Sequence, residues 1–223
     1  MDQFNISKNL KKRIYTSFIL LTLLFLMLID NFVYGYFLIV IGILSILEFF
    51  KMILIIKKDK ILQFSYNLIF IIYISCLTGA CLIFSSLFTL KLITFIILII
   101  CISSDIGGYI FGKVFKGPKL TRISPKKTYA GVFGSFFLPL IAGLVVYEYE
   151  YTDQIPDDGI YFLIIVLFIS LISQIGDLII SFFKRKAKIK DTGKILPGHG
   201  GIFDRIDGLM FVVILLIRIS IQF

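Results

Sequence analysis

The residues best suited to chemistry lie in one polar stretch, residues 181–207, between two strongly apolar segments. It contains the only histidine, His199, within the glycine-rich run Pro197–Gly201, and it is rich in Lys and Arg. It closes with Asp204 and Asp207, spaced so that a helix starting there would place both carboxylates on one face. Cations attract an anion, glycines let backbone N–H groups approach a phosphate, and carboxylates hold a hard cation. The stretch therefore predicts a site for a phosphate-bearing ligand.

Two further acids stand within apolar runs, where a carboxylate is costly and suggests function by default. Asp177 lies deep in one such run, and Asp105 stands just before the pair Gly107-Gly108. A structural hydrogen bond between helices is the alternative explanation for Asp177. Close helix packing at the two glycines would explain the segment around Asp105.

The carboxylates favour magnesium over zinc. Magnesium takes one or two carboxylates and leaves its other positions to water and phosphate oxygens. Zinc would need more ligands than one histidine and three cysteines without zinc-like spacing provide. Another acid in an apolar run, Glu48, is expected to snorkel or to pair with Lys51, one turn away.

A second basic loop, residues 113–127, carries six Lys or Arg and no acid. It leads into Ser124-Pro125-Lys126-Lys127-Thr128, where Pro125 restrains Ser124 and Thr128 can cap a helix beginning near Tyr129. A helix N-terminus attracts anions. The alternative is an ordinary cap beside lysines that only set the orientation in the membrane.

Membrane-spanning helices must position these residues. The chain has 223 residues, of which 58% are hydrophobic, and its mean hydropathy is +0.98, far above the balance of a soluble domain. The apolar runs are continuous, which favours helices over barrel strands. A span needs roughly 20 apolar residues. We therefore expect an all-α polytopic bundle with about seven spans, at 14–31, 34–56, 61–85, 88–112, 129–147, 159–183 and 206–222.

Loop charge predicts the orientation of this bundle. Every second loop is basic, whereas the connection 148–158 carries five acids and no base. The positive-inside rule then places the N-terminus and both large basic loops in the cytoplasm. The first apolar run is longer than the ~7–15-residue core of a signal peptide and lacks a small-x-small site, so we expect it to remain uncleaved. The orientation of the chain in the membrane thus explains the net charge of +9, and this charge does not require that the protein binds nucleic acid.

The polar stretch resembles the signature of the phosphatidate cytidylyltransferase (CDP-diacylglycerol synthase) family, with no mismatch. The matching segments are Ser181-x-Phe183-Lys184-Arg185, Lys190-Asp191-x-Gly193, Leu196-Pro197-x-His199-Gly200-Gly201-Ile202 and Asp204-Arg205-Ile206-Asp207. Similar to the family as well are Gln174-x-Gly176-Asp177-Leu178, the box 124–128 and Asp105-x-Gly107-x-Tyr109. Departures are Gly208, Gly108 and Ala130, where the family often has Ser, Ala and an acid. The detailed resemblance covers roughly residues 105–208, which we take as the catalytic region after N-terminal helices in 1–104 of a single membrane domain.

The resemblance implies that a cytidylyl group passes from CTP to phosphatidate, giving CDP-diacylglycerol and pyrophosphate in phospholipid biosynthesis. It also implies a metal centre at Asp177 and Asp204, holding magnesium with a potassium ion beside it. We expect Asp207 and Asp105 as further or outer ligands. Lys126 and Arg205 are expected to act with the two aspartates in catalysis. The expected substrate-binding residues are Ser124, Lys127, Thr128, Lys184, Arg185, Lys190, Asp191, His199, Gly200 and Gly201.

The expected setting is the inner cell membrane, with a multi-pass chain and an active site facing the cytoplasm. CTP, phosphatidate and membrane lipids are the expected partners, and a homodimer is one expected assembly. Two alternatives remain open. A CTP-dependent polyprenol or phytol kinase would phosphorylate an alcohol, need a general base and release CDP. A small ion-coupled transporter would use Asp177 as its coupling acid, and it predicts inverted repeats, which are not evident here.

Overall fold

The computed structural model describes residues 2–121, 124, 127–149, 158–198 and 200–213, with side chains from residue 11 onward. The helices of this part are α1 (Asp2–Ile29), α2 (Asn31–Ile56), α3 (Lys60–Ser85), α4 (Phe88–Val114), α5 (Tyr129–Tyr149), α6 (Gly159–Lys186) and the short α7 (Phe203–Ile206). Among these described residues, six helices, α1 to α6, are long and apolar enough to cross a membrane. The predicted all-α, multi-span architecture is confirmed. The seventh predicted span, 206–222, lies mostly outside the described residues.

Acidic caps fix where several spans begin. Asp30 Oδ1 accepts a hydrogen bond from the backbone N–H of Phe32 at 2.6 Å, and Asp59 Oδ1 accepts one from Ile61 at 2.9 Å. Asp158 caps α6 in the same way. These side chains satisfy N–H groups that have no partner within the first turn of a helix. The acids between spans therefore have a local structural use besides their effect on topology.

The outward surface of the long helices is apolar. Ile14, Phe18, Phe32 and Phe64 are each between 61% and 82% exposed. In water this would be an aggregation-prone surface, whereas facing lipid it is the expected one. Each helix satisfies its own backbone hydrogen bonds, as hydrocarbon requires.

The chain forms two compact units, each described here by itself. The first unit contains residues 1–86 and 183–206, so it combines α1, α2 and α3 with most of the polar stretch. The second unit contains residues 87–182 and 207–223, so it combines α4, α5 and most of α6. The expected division of the chain after residue 104 stays a prediction.

An aromatic cluster anchors α7 in the first unit. The rings of Phe49 on α2 and Phe70 on α3 are stacked at 3.8 Å between centroids. Phe203, at the start of α7, is fully buried and meets both rings edge-on, at 6.1 Å and 5.4 Å. Such buried aromatic contacts contribute through both apolar area and ring geometry. They fix the helix turn that carries Asp204 against two spans.

Close glycine packing joins α4 to α5 in the second unit. A Cβ at Gly107 would collide with the carbonyl oxygen of Gly134, and one at Gly131 would come within 2.9 Å of the carbonyl oxygen of Gly108. Small residues of this kind let two helix backbones approach within a membrane. The predicted close packing at Gly107-Gly108 is therefore confirmed.

Candidate active site

After α6 ends at Lys186, the polar stretch folds into a loop closed by its own backbone. Leu196 and Gly200 exchange two N–H···O hydrogen bonds, of 2.9 Å and 3.1 Å. Gly198 and Gly200 have φ angles of +79° and +91°, a region that favours glycine. These glycines are thus required for the turn itself. His199 lies outside the described residues.

Asp204 is the acid around which this loop closes. Its Oδ1 accepts a hydrogen bond from Lys184 Nζ at 3.0 Å, within a salt bridge. Its Oδ2 accepts hydrogen bonds from the backbone N–H groups of Thr192 at 2.8 Å and Gly201 at 3.0 Å. The side chains of Lys184 and Asp204 are only 10% and 6% exposed. Predicted site residues that are far apart in sequence therefore meet at one shielded carboxylate.

Glu48 on α2 is a second carboxylate in the same loop, and sequence reasoning missed it. Its Oε2 accepts hydrogen bonds from Thr192 Oγ1 at 2.7 Å and from the N–H of Phe203 at 3.0 Å. Its Oε1 accepts one from the N–H of Ile202 at 3.2 Å. The expectation that Glu48 snorkels or pairs with Lys51 is wrong, because Glu48 is 2% exposed while Lys51 is exposed. The signal that could have found it was already present, since an acid inside an apolar span suggests function by default.

Helix α1 holds the loop from another side. Arg13 Nε donates to the carbonyl oxygen of Gly198 at 3.0 Å, and Thr16 Oγ1 lies 2.9 Å from the carbonyl oxygen of Pro197. In the sequence, Arg13 belongs to the basic N-terminal segment that predicts orientation. Its position here adds a structural role, because it binds backbone that is 185 residues away.

In the second unit, Asp177 pairs with the other basic loop. Lys127 Nζ forms a salt bridge with Asp177 Oδ2, and Ser181 Oγ donates to Asp177 Oδ1 at 3.4 Å. The side chains of Lys127 and Asp177 are 26% and 28% exposed. Two motifs that are separated by about 50 residues in the sequence therefore share one ion pair.

The loop before α5 folds as the sequence indicates. Thr128 Oγ1 accepts a hydrogen bond from the N–H of Gly131 at 3.1 Å, so the predicted cap is confirmed. The carbonyl oxygen of Ser124 accepts one from the N–H of Lys127 at 3.0 Å. These bonds place Lys127 directly ahead of a helix N-terminus. Lys126 lies outside the described residues.

The remaining predicted residues are distributed between the two units. In the second unit, Asp105 is exposed on α4, and Asp207 is buried with its Oδ1 accepting from the N–H of Gly208 at 3.0 Å. Because α7 ends at Ile206, Asp207 lies in the turn after it, and the expected single helix through Asp204 and Asp207 is wrong. In the first unit, three predicted residues are exposed to solvent: Lys190, Asp191 and Arg205. Arg185 Nη1 donates a hydrogen bond to the carbonyl oxygen of Ile189 at 3.4 Å.

The donor set fits a hard divalent cation better than zinc. Within either unit, the described residues form no group of three or more His, Cys, Asp and Glu side chains suited to a metal. A metal at Asp177 or Asp204 would thus take one or two carboxylates and complete its shell with water or phosphate oxygens, as magnesium does. Each carboxylate also has a lysine beside it.

Among the described residues, six helices are long and apolar enough to cross a membrane, and carboxylates pair with lysines in each of the two units. Residues 57–221 match the model of the cytidylyltransferase family. That match covers most of the sequence, and the chain belongs to this family.

Similar proteins in three bacteria are named phosphatidate cytidylyltransferase. The one from Rickettsia conorii is 42% identical over 132 residues, covering 56% of this chain and 57% of the relative. The one from Bacillus subtilis is 43% identical over 112 residues, covering 50% and 40%. The one from Staphylococcus aureus is 43% identical over 121 residues, covering 53% and 45%. The chain spans about half the length of the curated relatives it matches.

Proposed function

We propose that this protein transfers a cytidylyl group from CTP to phosphatidate, forming CDP-diacylglycerol and releasing pyrophosphate. The observation that carries the proposal is the folding of the signature residues 184–204 around Asp204, with Lys184 and two backbone N–H groups on its carboxylate. The names of the similar bacterial proteins support the choice of substrates.

The proposed reaction requires positive charge near the phosphates more than it requires a general base. A phosphate oxygen of phosphatidate attacks the α-phosphorus of CTP and forms a new P–O bond. The bond between the α-phosphorus and the bridging oxygen breaks, and its electron pair leaves with pyrophosphate. Because a phosphate monoester has a second pKa of about 6, the nucleophile is already largely ionised at neutral pH. The main obstacle is the repulsion between two polyanions, which bound cations relieve.

The lysines of the two ion pairs are proposed to perform that task. Magnesium bound at Asp177 and Asp204, with potassium beside it, would supply positive charge toward the α-phosphoryl group and the departing pyrophosphate. Lys184 and Lys127 would then turn from their aspartates to phosphate oxygens. We further assign phosphate binding to Lys126, Arg185, Lys190 and Arg205, nucleotide-pocket contacts to Ser124, Thr128, Asp191, His199, Gly200 and Gly201, and outer metal contacts to Asp105 and Asp207.

The membrane supplies the second substrate. Apolar helix surfaces would let phosphatidate reach the site sideways from the lipid, while CTP arrives at the basic loops. We assign those loops to the cytoplasmic face of the inner membrane, because every second loop is basic. A homodimer is the proposed assembly.

The direct test supplies purified protein in mixed micelles with phosphatidate and CTP labelled at the α-phosphate. We expect label in a lipid-soluble product only when magnesium is present, together with stoichiometric pyrophosphate. With a polyprenol or phytol supplied as a second acceptor, release of labelled CDP together with an unlabelled prenyl phosphate would instead indicate a CTP-dependent lipid kinase. Ion flux in proteoliposomes without CTP consumption would indicate a transporter. Glu148→Gln, which removes an exposed carboxylate at the end of α5, is the matched control and should keep wild-type turnover.

A further inference from the structure

Glu48 and Asp204 are held by the same two backbone segments of the first unit. Thr192 donates its N–H to Asp204 and its hydroxyl to Glu48. On the other segment, Gly201 donates its N–H to Asp204, and the next N–H, that of Ile202, goes to Glu48. The donors of each segment are thus divided between the two carboxylates. We therefore expect a change at either acid to affect how residues 192 and 201 are held relative to each other.

Two glycines pack so closely against Glu48 that there is no room for a side chain at either position. A Cβ at Gly193 would collide with Glu48 Oε1, and a Cβ at Gly201 would collide with Glu48 Oε2 and Thr192 Oγ1. Two glycines of the signature are therefore required by the carboxylate of a residue on α2, far away in the sequence. Glu48 is also buried, so its charge is compensated by the convergent donors rather than by water.

We propose that Glu48 is a positioning residue for Asp204: by binding Thr192, Ile202 and Phe203, it sets the two N–H groups that orient the Asp204 carboxylate for a divalent cation. The proposal rests on the proposed function in one respect, the assignment of a metal to Asp204. A carboxylate suits this role because it only accepts hydrogen bonds, and all its partners here are donors. Glutamine would turn its NH₂ group toward one of those donors.

The test uses the full-length protein in detergent and two readouts that need no turnover. Hydrogen–deuterium exchange reports on residues 190–204, and titration with Mn²⁺ followed by electron paramagnetic resonance reports on the cation site. Glu48→Gln should accelerate exchange in this segment about tenfold and weaken Mn²⁺ binding about tenfold or more. Glu148→Gln, the exposed control, should change neither quantity.

Two less disruptive variants test the same proposal if Glu48→Gln fails to fold. Thr192→Val removes only the hydroxyl that binds Glu48, whereas Thr192→Ser keeps it. We expect Thr192→Val to reproduce both effects and Thr192→Ser to restore wild-type values. Wild-type exchange and Mn²⁺ affinity in Thr192→Val would overturn the proposal. So would faster exchange throughout the helices with unchanged Mn²⁺ affinity, which is what a purely structural role predicts. If the wild type makes no CDP-diacylglycerol, the proposed function fails, while both readouts still decide the role of Glu48.

Discussion

The two Asp–Lys pairs share one chemistry but differ in their surroundings. In the first unit, Asp204 and Lys184 are 6% and 10% exposed, and the carboxylate also accepts two backbone N–H groups. In the second unit, Asp177 and Lys127 are 28% and 26% exposed, and the carboxylate also accepts a hydrogen bond from the hydroxyl of Ser181. The first pair is part of a closed loop, whereas the second joins a helix to a loop at a partly exposed position.

This difference in exposure predicts that the two ion pairs contribute differently to stability. Removing one partner of a shielded pair leaves a desolvated charge and is strongly destabilising. A solvated pair contributes little, because water replaces either partner. We therefore expect the loss of Lys127 to be less destabilising than the loss of Lys184, which is part of the closed loop. The predictions below test this contrast, from the largest expected effect to the smallest.

Removing either aspartate should abolish most of the activity. Asp177→Asn and Asp204→Asn each remove a carboxylate that we propose as a metal ligand, so we expect CTP conversion to fall by about 10²-fold or more in both. The measurement is labelled CTP incorporation into lipid across a magnesium titration. Normal magnesium-dependent turnover in these two variants would remove the metal proposal.

Replacing the lysine of each ion pair should destabilise the protein to different extents. Lys184→Met leaves the shielded Asp204 charge without its cation, with an expected cost of about 3 kcal/mol and a clearly lower Tm. Lys127→Met should cost less than about 1 kcal/mol. Thermal unfolding of both variants in the same detergent checks this. Equal Tm shifts would show that the difference in exposure has no energetic consequence.

A methyl group added in the closed loop should destabilise the protein more than one added on an open helix face. Gly201→Ala places its Cβ against Glu48 and Thr192, which we expect to cost about 1–3 kcal/mol. Gly79 on α3 has no atom within 4 Å of such a Cβ, so Gly79→Ala should be neutral or slightly stabilising. Thermal unfolding and limited proteolysis of the loop make the comparison. A Gly201→Ala protein as stable as Gly79→Ala would contradict the crowding seen around Glu48.

The smallest effect is expected at the cap of the second unit. Thr128→Ala removes the acceptor for the N–H of Gly131 and should cost about 1 kcal/mol, while Thr128→Ser should keep most of the stability. Thermal unfolding measures the cost, and retained CTP turnover in Thr128→Ser would separate capping from any use of the methyl group. Identical unfolding of the alanine and serine variants would exclude the cap as a source of stability.

Much of the fold was predictable because its causes are local. Continuous apolar runs determined six helices, and the Thr128 cap followed from one side chain and the helix after it. The packing of Gly107 and Gly108 also followed from their small size. The position of α7 was not predictable, because it begins at Phe203, whose ring packs against Phe49 and Phe70 on two distant helices.

The sequence by itself determined the membrane class and the resemblance that led to the family, and it predicted a phosphate-bearing ligand for the polar stretch. It did so because apolar length, charge and motif spacing are properties of neighbouring residues. The tertiary structure alone decided that Glu48, Arg13 and Thr16 belong with the signature loop. It also decided that Asp204 is shielded while Asp177 is partly exposed. Such facts depend on which distant segments share one carboxylate and exclude water from it, and no spacing along the chain encodes that directly.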